Sequence, residues 1–145
     1  MDRSFSSVTN FINYLKSHGY PEDSFVTEFL INNKYSADLA IIEPKTKEII
    51  ALIEFKKRRN IKTEELAIKQ LTNIYRAVND RTVQIYLVYS DDETQLFDVY
   101  VFQEKNGSFY LSPTGISNYL ITKNTKLSKE LINNKKNQKK TNNIY

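Results

Sequence analysis

Residues 36–57 read SADLAIIEPKTKEIIALIEFKK and carry the most information about the fold. Residues 36–43 and 48–56 are predicted to form β-strands, because apolar side chains dominate both runs. Residues 44–47 (Pro-Lys-Thr-Lys) form the turn between them, and a turn this short pairs the two strands antiparallel. The run from Ile49 to Ile53 is apolar on both faces, which is typical of a central strand.

Polar side chains interrupt both of these strands. The first strand carries Asp38, and the second ends with Glu54 and Lys56, which share a face because strand side chains alternate. Pairing residue 43 with residue 48 would place Asp38 opposite the residue before Glu54. A β-bulge or a one-residue change of register would bring the two carboxylates to the same side, and the sequence leaves that register open.

Two carboxylates converging at the end of an apolar sheet repel each other and lose hydration, at a cost of several kcal/mol. A divalent cation compensates, and Mg²⁺ needs only one or two carboxylates besides water and a substrate phosphate. Lys56 could then orient the attacking water and offset charge on the phosphate. The alternative is an ordinary ion pair at a strand end. A second match to the acid-x-Lys pattern, Glu43-Pro-Lys45, falls in the turn and shows that this pattern alone carries little information.

The remaining periodicity predicts further elements on both sides of this stretch. Apolar residues recur at helical spacing in 5–17 and 63–79, and Thr63 is predicted to be the N-cap of the second helix. For residues 24–32 the composition slightly favours a strand over a helix. The predicted elements are a helix at 5–17, a strand at 24–32, a helix at 63–79, a strand at 83–90, a hairpin at 96–103 and 108–112, and short helices at 115–122 and 126–134.

Strand, helix and strand in succession from residue 48 to residue 90 predict a parallel crossover. The expected fold class is therefore α/β, with a mixed central sheet flanked by helices and a C-terminal β-hairpin followed by short helices. A length of 145 residues suggests one domain, taken here as residues 1–122. Residues 123–145 form a Lys- and Asn-rich extension that we expect to be partly disordered.

Composition excludes several classes of protein. The chain has no cysteine and one histidine, so zinc–thiolate sites, cysteine nucleophiles and sites built on two histidines are excluded. Three scattered glycines leave no phosphate-binding Gly-rich loop. No apolar run approaches the roughly 20 residues that span a bilayer, and the first residues lack the apolar core that a signal peptide has. We therefore expect a cytoplasmic protein with no membrane partner.

The basic character of the chain belongs mostly to its C-terminus. From Lys123 onward there are seven lysines and one acid, whereas the preceding 122 residues have 14 basic and 16 acidic side chains. The domain itself is thus slightly acidic. The run Lys57-Arg58-Arg59, with Lys62, could contact a phosphate backbone, and an exposed charged loop explains it equally well.

Taken together, the polar residues resemble a known pattern. The residues that form this pattern are Glu28, Ala37-Asp38-Leu39, Ile53-Glu54-Phe55-Lys56 and Gln70-Leu71. With them, about residues 10–90 look like the PD-(D/E)xK nuclease superfamily, and in particular like the nuclease domain at the N-terminus of type I restriction endonuclease R subunits.

The resemblance implies a restriction-endonuclease-like αβββαβ core and a role for each polar residue. Asp38, Glu54 and the backbone carbonyl of Phe55 would bind the metal, and Lys56 would be the catalytic lysine. Glu28 would be a helper acid near the metal.

The same resemblance implies that Gln70 reaches the site from its helix, and that the cofactor is Mg²⁺ or Mn²⁺. The expected function is hydrolysis of phosphodiester bonds in DNA, in restriction or phage defence. Cutting both strands requires a homodimer or two successive nicks, and partner subunits could supply target recognition. The alternative is a non-catalytic module of the same fold that binds nucleic acid or a protein.

Overall fold

The computed structural model describes residues 3–57, 61–90 and 96–115. In these ranges the chain forms two α-helices, a short 3-10 helix and six β-strands. They are α1 (Arg3–Ser17), the 3-10 helix (Glu22–Ser24), β1 (Phe25–Ile31), β2 (Tyr35–Ile42), β3 (Ile49–Lys56), α2 (Ile61–Val78), β4 (Gln84–Ser90), β5 (Phe97–Lys105) and β6 (Ser108–Thr114).

The six strands form one mixed sheet in the order of the sequence, from β1 at one edge to β6 at the other. Neighbours pair antiparallel except β3 and β4, which are parallel and connected through α2. The predicted α/β class with a mixed sheet is confirmed. The predicted strand–helix–strand crossover and the C-terminal hairpin are also present.

The helices cover opposite faces of the sheet, because the two central strands are apolar on both faces. The buried side chains of α1 (Val8, Phe11 and Leu15) pack on one set of alternating strand residues, including Ile53 and Phe55 of β3. On the other face, a stripe of α2 (Ala67, Leu71 and Ile74) packs with Ala40, Leu52 and Leu87. At roughly 25 cal/mol per Å² of apolar surface, these two layers are the main stabilising term.

A left-handed glycine ends α1. Gly19 has a φ of +90°, which a side chain would oppose. It lets the amide of Tyr20 donate to the carbonyl of Leu15 at 3.2 Å. The ring Nδ1 of His18 lies 3.0 Å from the carbonyl oxygen of Tyr14. The single histidine, His18, therefore contacts the last turn of α1.

The start of α2 differs from the predicted start. The helix α2 begins at Ile61, so Thr63 lies inside its first turn and the prediction of Thr63 as N-cap is wrong. Ile61 and Lys62 both have a helix propensity that is compatible with the first turn, so α2 can begin two residues before Thr63. Almost all of the predicted helix 115–122, and all of the predicted helix 126–134 and of the extension 123–145, lie outside the described residues.

Within the described part of the chain, no helix is both long and apolar enough to cross a membrane.

Candidate metal and catalytic site

A β-bulge sets the register between β2 and β3. Ile42 pairs with Ile49, but Ile41 pairs with Ala51, so Ile50 is an extra residue on β3. A bulge of this kind shifts every later pair by one position. The pairing near the turn is the one that the sequence predicts, because the amide of Glu43 donates to the carbonyl of residue 48 at 2.8 Å.

The bulge brings the two carboxylate-bearing residues together. Beyond it, Leu39 pairs with Ile53, so the next opposed positions are Asp38 and Glu54. The sequence left this register open, since the unshifted pairing separates these two residues by one position. Asp38 and Glu54 therefore share the sheet face that α2 covers, together with Leu52.

Two reciprocal hydrogen bonds hold Asp38 and Glu54 in place. The backbone amide of Asp38 donates to Oε1 of Glu54 at 3.1 Å. The backbone amide of Phe55 donates to Oδ2 of Asp38 at 2.9 Å. Hydrogen bonds from a backbone amide to an ionised carboxylate are among the stronger ones in proteins. Each carboxylate thus reaches across to the other strand, and each keeps further lone pairs on its oxygens.

The electrostatics of this pair are unfavourable. Glu54 is 4% exposed, and its pKa is raised from 4.5 to about 8, first by burial and then by repulsion from Asp38. The hydrogen bond from the Asp38 amide and the positive charge of Lys56 oppose this shift and lower the pKa in part. The ionised form of this carboxyl is therefore unfavourable, and a cation bound beside it would offset the cost of burial and repulsion.

The donor set fits a hard divalent cation that retains several waters. Two carboxylates with oxygens to spare, and the carbonyl of Phe55 on the same strand, are oxygen ligands of the kind Mg²⁺ prefers. In the described ranges, no group of three or more His, Cys, Asp or Glu side chains comes together in a way that could hold a metal. The described protein side chains therefore supply two carboxylates, and substrate and water would have to complete the coordination.

Glu28 lies on β1, the strand that pairs with β2 on the side away from β3. The pairs Thr27–Leu39 and Phe29–Ala37 flank it, so Glu28 occupies the position opposite Asp38 on the edge strand β1. Its φ is +50°, in the left-handed region, and its side chain is exposed. Glu28 is therefore next to Asp38 in the sheet, in a backbone conformation that costs a non-glycine residue about 1 kcal/mol.

Exchanging Glu28 separates the backbone role of this position from the role of its carboxylate. Glu28→Gly should raise the melting temperature by a few degrees, since glycine adopts a positive φ without strain. If the carboxylate assists the metal, Glu28→Gln and Glu28→Gly should both weaken Mn²⁺ binding, measured by calorimetry. Unchanged Mn²⁺ affinity in Glu28→Gln would remove Glu28 from the site.

The other predicted residues are more peripheral. Gln70 is exposed although its neighbours on α2, Ala67 and Ile74, are buried, so it borders the buried stripe of the helix. Lys57 is half-buried directly after β3, and Lys62 is exposed in the first turn of α2. The predicted phosphate contacts Arg58 and Arg59 lie outside the described residues.

One neighbour of the site was not predicted from the sequence. The parallel pairing of β3 with β4 sets Leu87 beside Glu54 and Tyr89 beside Lys56. The apolar run of β4 predicts a central strand, but no periodicity fixes its register against β3. Tyr89 therefore had no sequence signal that linked it to Lys56.

Comparisons with known proteins found no family model, no curated protein and no solved structure that matches this chain.

Proposed function

We propose that this chain is a metal-dependent nuclease domain that hydrolyses phosphodiester bonds in DNA. The observation that carries the proposal is the pair formed by half-buried Asp38 and buried Glu54. Two hydrogen bonds with backbone amides hold these carboxylates across β2 and β3, and Lys56 follows Glu54 on the same face of β3. Two acids brought together by a bulge, with a raised pKa on one of them, are unfavourable for folding alone. Functional sites are where such arrangements occur most often.

Asp38, Glu54 and the carbonyl of Phe55 would hold Mg²⁺ or Mn²⁺. When bound, such an ion polarises the phosphate, lowers the pKa of a bound water and neutralises developing charge. The residues of the chain do the remaining work. The reciprocal hydrogen bonds fix both carboxylates before substrate arrives, so little reorganisation is required when a phosphate enters.

Lys56 would act on the substrate directly. Its positive charge lowers the pKa of Glu54, so its ammonium group lies within electrostatic reach of the Glu54 carboxylate. From there it can donate hydrogen bonds to a phosphate oxygen and orient the attacking water. Both roles require Lys56 to remain beside the carboxylates instead of extending into solvent.

The order of elements supports a restriction-endonuclease-like core. Helix, three strands, helix and strand follow one another from α1 to β4, with the acids on β2 and β3. DNA would approach the ends of these strands, where Lys57 and Lys62, with Arg58 and Arg59, would contact phosphates. One domain presents one such site, so cutting both strands would need a second copy or two nicks, and partner subunits would supply target choice.

A second candidate function is a non-catalytic module of the same fold that binds nucleic acid or a protein. The observation that favours it is that each carboxylate already accepts a backbone amide, so the pair also joins β2 to β3. In that case the acids would be structural and a cation would be unnecessary. The two candidates differ in what removal of Lys56 should do.

Lys56→Ala tests the nuclease proposal against a matched control. We expect plasmid cleavage with Mg²⁺ or Mn²⁺ to fall about 100-fold, in the range of losing a proton-transfer or charge-stabilising group. The control is Lys45→Ala, which removes an exposed lysine from the other acid-x-Lys sequence, in the turn before β3. Cleavage by Lys45→Ala should equal wild type.

Two outcomes would count against the nuclease. Equal cleavage by both lysine variants would show that the activity does not come from this site. Absence of cleavage by the wild-type chain, with either metal and with single-stranded or double-stranded DNA, would favour the binding module. Gel-shift assays on the same samples would then measure binding to nucleic acid without chemistry.

A further inference from the structure

Tyr89 lies beside Lys56 in the parallel ladder between β3 and β4. The two residues are register partners, as are Glu54 and Leu87 one row earlier. Partners on adjacent strands are about 4.8 Å apart and point to the same face. Lys56, Glu54, Leu87 and Tyr89 therefore share the face of the sheet that α2 covers.

The ring of Tyr89 is fixed by its surroundings. Tyr89 is 4% exposed and belongs to the core cluster that contains Leu71 and Leu87. Its ring meets the ring of Tyr100 edge to face, at 5.7 Å between centroids and 85° between planes. Aromatic pairs in this geometry are favourable beyond the area they bury. The ring of Tyr89 is thus a fixed apolar surface next to the flexible side chain of Lys56.

Lys56 is only half-buried at the end of β3, where four rotatable bonds would let its ammonium group move into solvent. We propose that Tyr89 is a positioning residue: its ring supports the alkyl stem of Lys56 and keeps the ammonium group over Asp38 and Glu54. Lysine stems pack on apolar surface while the charged end stays polar and hydrated. The catalytic consequence rests on the proposed nuclease function, but the positioning itself does not.

Side-chain relaxation of Lys56 tests the positioning without any activity. The measurement is the ¹³C order parameter of the Lys56 Cε methylene, with exposed Lys62 as the internal reference. We expect Lys56 to be more ordered than Lys62 in the wild type and in Tyr89→Phe, which keeps the ring. In Tyr89→Leu the difference between the two lysines should disappear.

Tyr86→Leu is the matched control. Tyr86 lies on the same strand and is 7% exposed, but it packs in the cluster on the α1 face. This variant removes a buried ring from β4 and leaves the ring of Tyr89 in place, so the Lys56 side chain should stay ordered. If Tyr89→Leu does not fold, Tyr89→Met offers an unbranched, flexible side chain that adapts to the space left by the ring, and it still removes the ring.

The outcomes are separable from those of the proposed function. Lys56 as mobile as Lys62 in the wild type, or equally ordered in Tyr89→Leu and wild type, would overturn the positioning role. If the wild type cleaves DNA, Tyr89→Leu should lower kcat about tenfold at unchanged KM, whereas Tyr86→Leu should not. If the wild type does not cleave, the relaxation data alone decide the positioning, and the nuclease proposal fails independently.

Discussion

Asp38→Asn is expected to abolish metal-dependent DNA cleavage while making the metal-free protein more stable. Asparagine keeps an oxygen that can accept the hydrogen bond from the Phe55 amide, so the interlock of β2 with β3 survives. What disappears is the negative charge beside Glu54, which is one cause of the raised pKa of Glu54. Loss of that repulsion should add about 1 kcal/mol to the free energy of unfolding near pH 8.

The two effects have opposite signs, which makes the experiment decisive. Plasmid cleavage should fall more than about 1,000-fold, since an amide is a poor ligand for Mg²⁺ and carries no charge. Urea unfolding without metal should give a higher midpoint. The control Asp23→Asn removes one charge at an exposed position of the 3-10 helix before β1 and should change neither quantity.

A loss of stability in Asp38→Asn would contradict this account of the site. It would mean that the carboxylate contributes more through its hydrogen bond than it costs through repulsion, as a purely structural acid would. Retained cleavage would contradict it in another way, because the metal would then be held elsewhere. If Asp38→Asn changed neither plasmid cleavage nor the urea midpoint, Asp38 would have no role in this site.

Much of the frame around this site follows from local patterns in the sequence. The apolar run Ile49 to Ile53 and the turn after Glu43 predict a central strand antiparallel to its predecessor, and both are present. The periodicity of Ala67, Leu71 and Ile74 predicts the helix that connects two parallel strands. These features depend on residues close in sequence, where side-chain period and turn length are sufficient.

The site depended on registers that no local pattern determines. The bulge at Ile50 decides whether Asp38 faces Glu54, and one more apolar residue in an apolar run gives no sign of it. The pairing of Lys56 with Tyr89 likewise results from the packing of two strands that a helix separates in sequence. Gln70 shows the opposite limit: helical spacing places it near a buried stripe, yet the structure leaves it exposed.

Metal-free stability should fall as pH rises, and a bound cation should reverse that trend. The pKa of Glu54 is about 8 in the folded protein, against 4.5 as its ordinary value. Between pH 4.5 and about pH 8, Glu54 is therefore protonated in the folded state and ionised in the unfolded chain. The stability from this proton is fully present below pH 4.5 and disappears as pH rises through about 8, at roughly 1.4 kcal/mol per pH unit between these limits.

A divalent cation competes with that proton for the same carboxylate. Below pH 8, the affinity for Mn²⁺ should rise about tenfold per pH unit, and binding near pH 7 should release close to one proton. Urea unfolding at several pH values, with and without Mn²⁺, measures both trends because a ligand stabilises the state that binds it. Glu54→Gln is the control, since it removes the titrating group, and its stability should lose most of the pH dependence. A wild-type protein with the same slope as Glu54→Gln, and no pH-dependent stabilisation by Mn²⁺, would show that Glu54 ionises freely and that the acid pair is not a cation site.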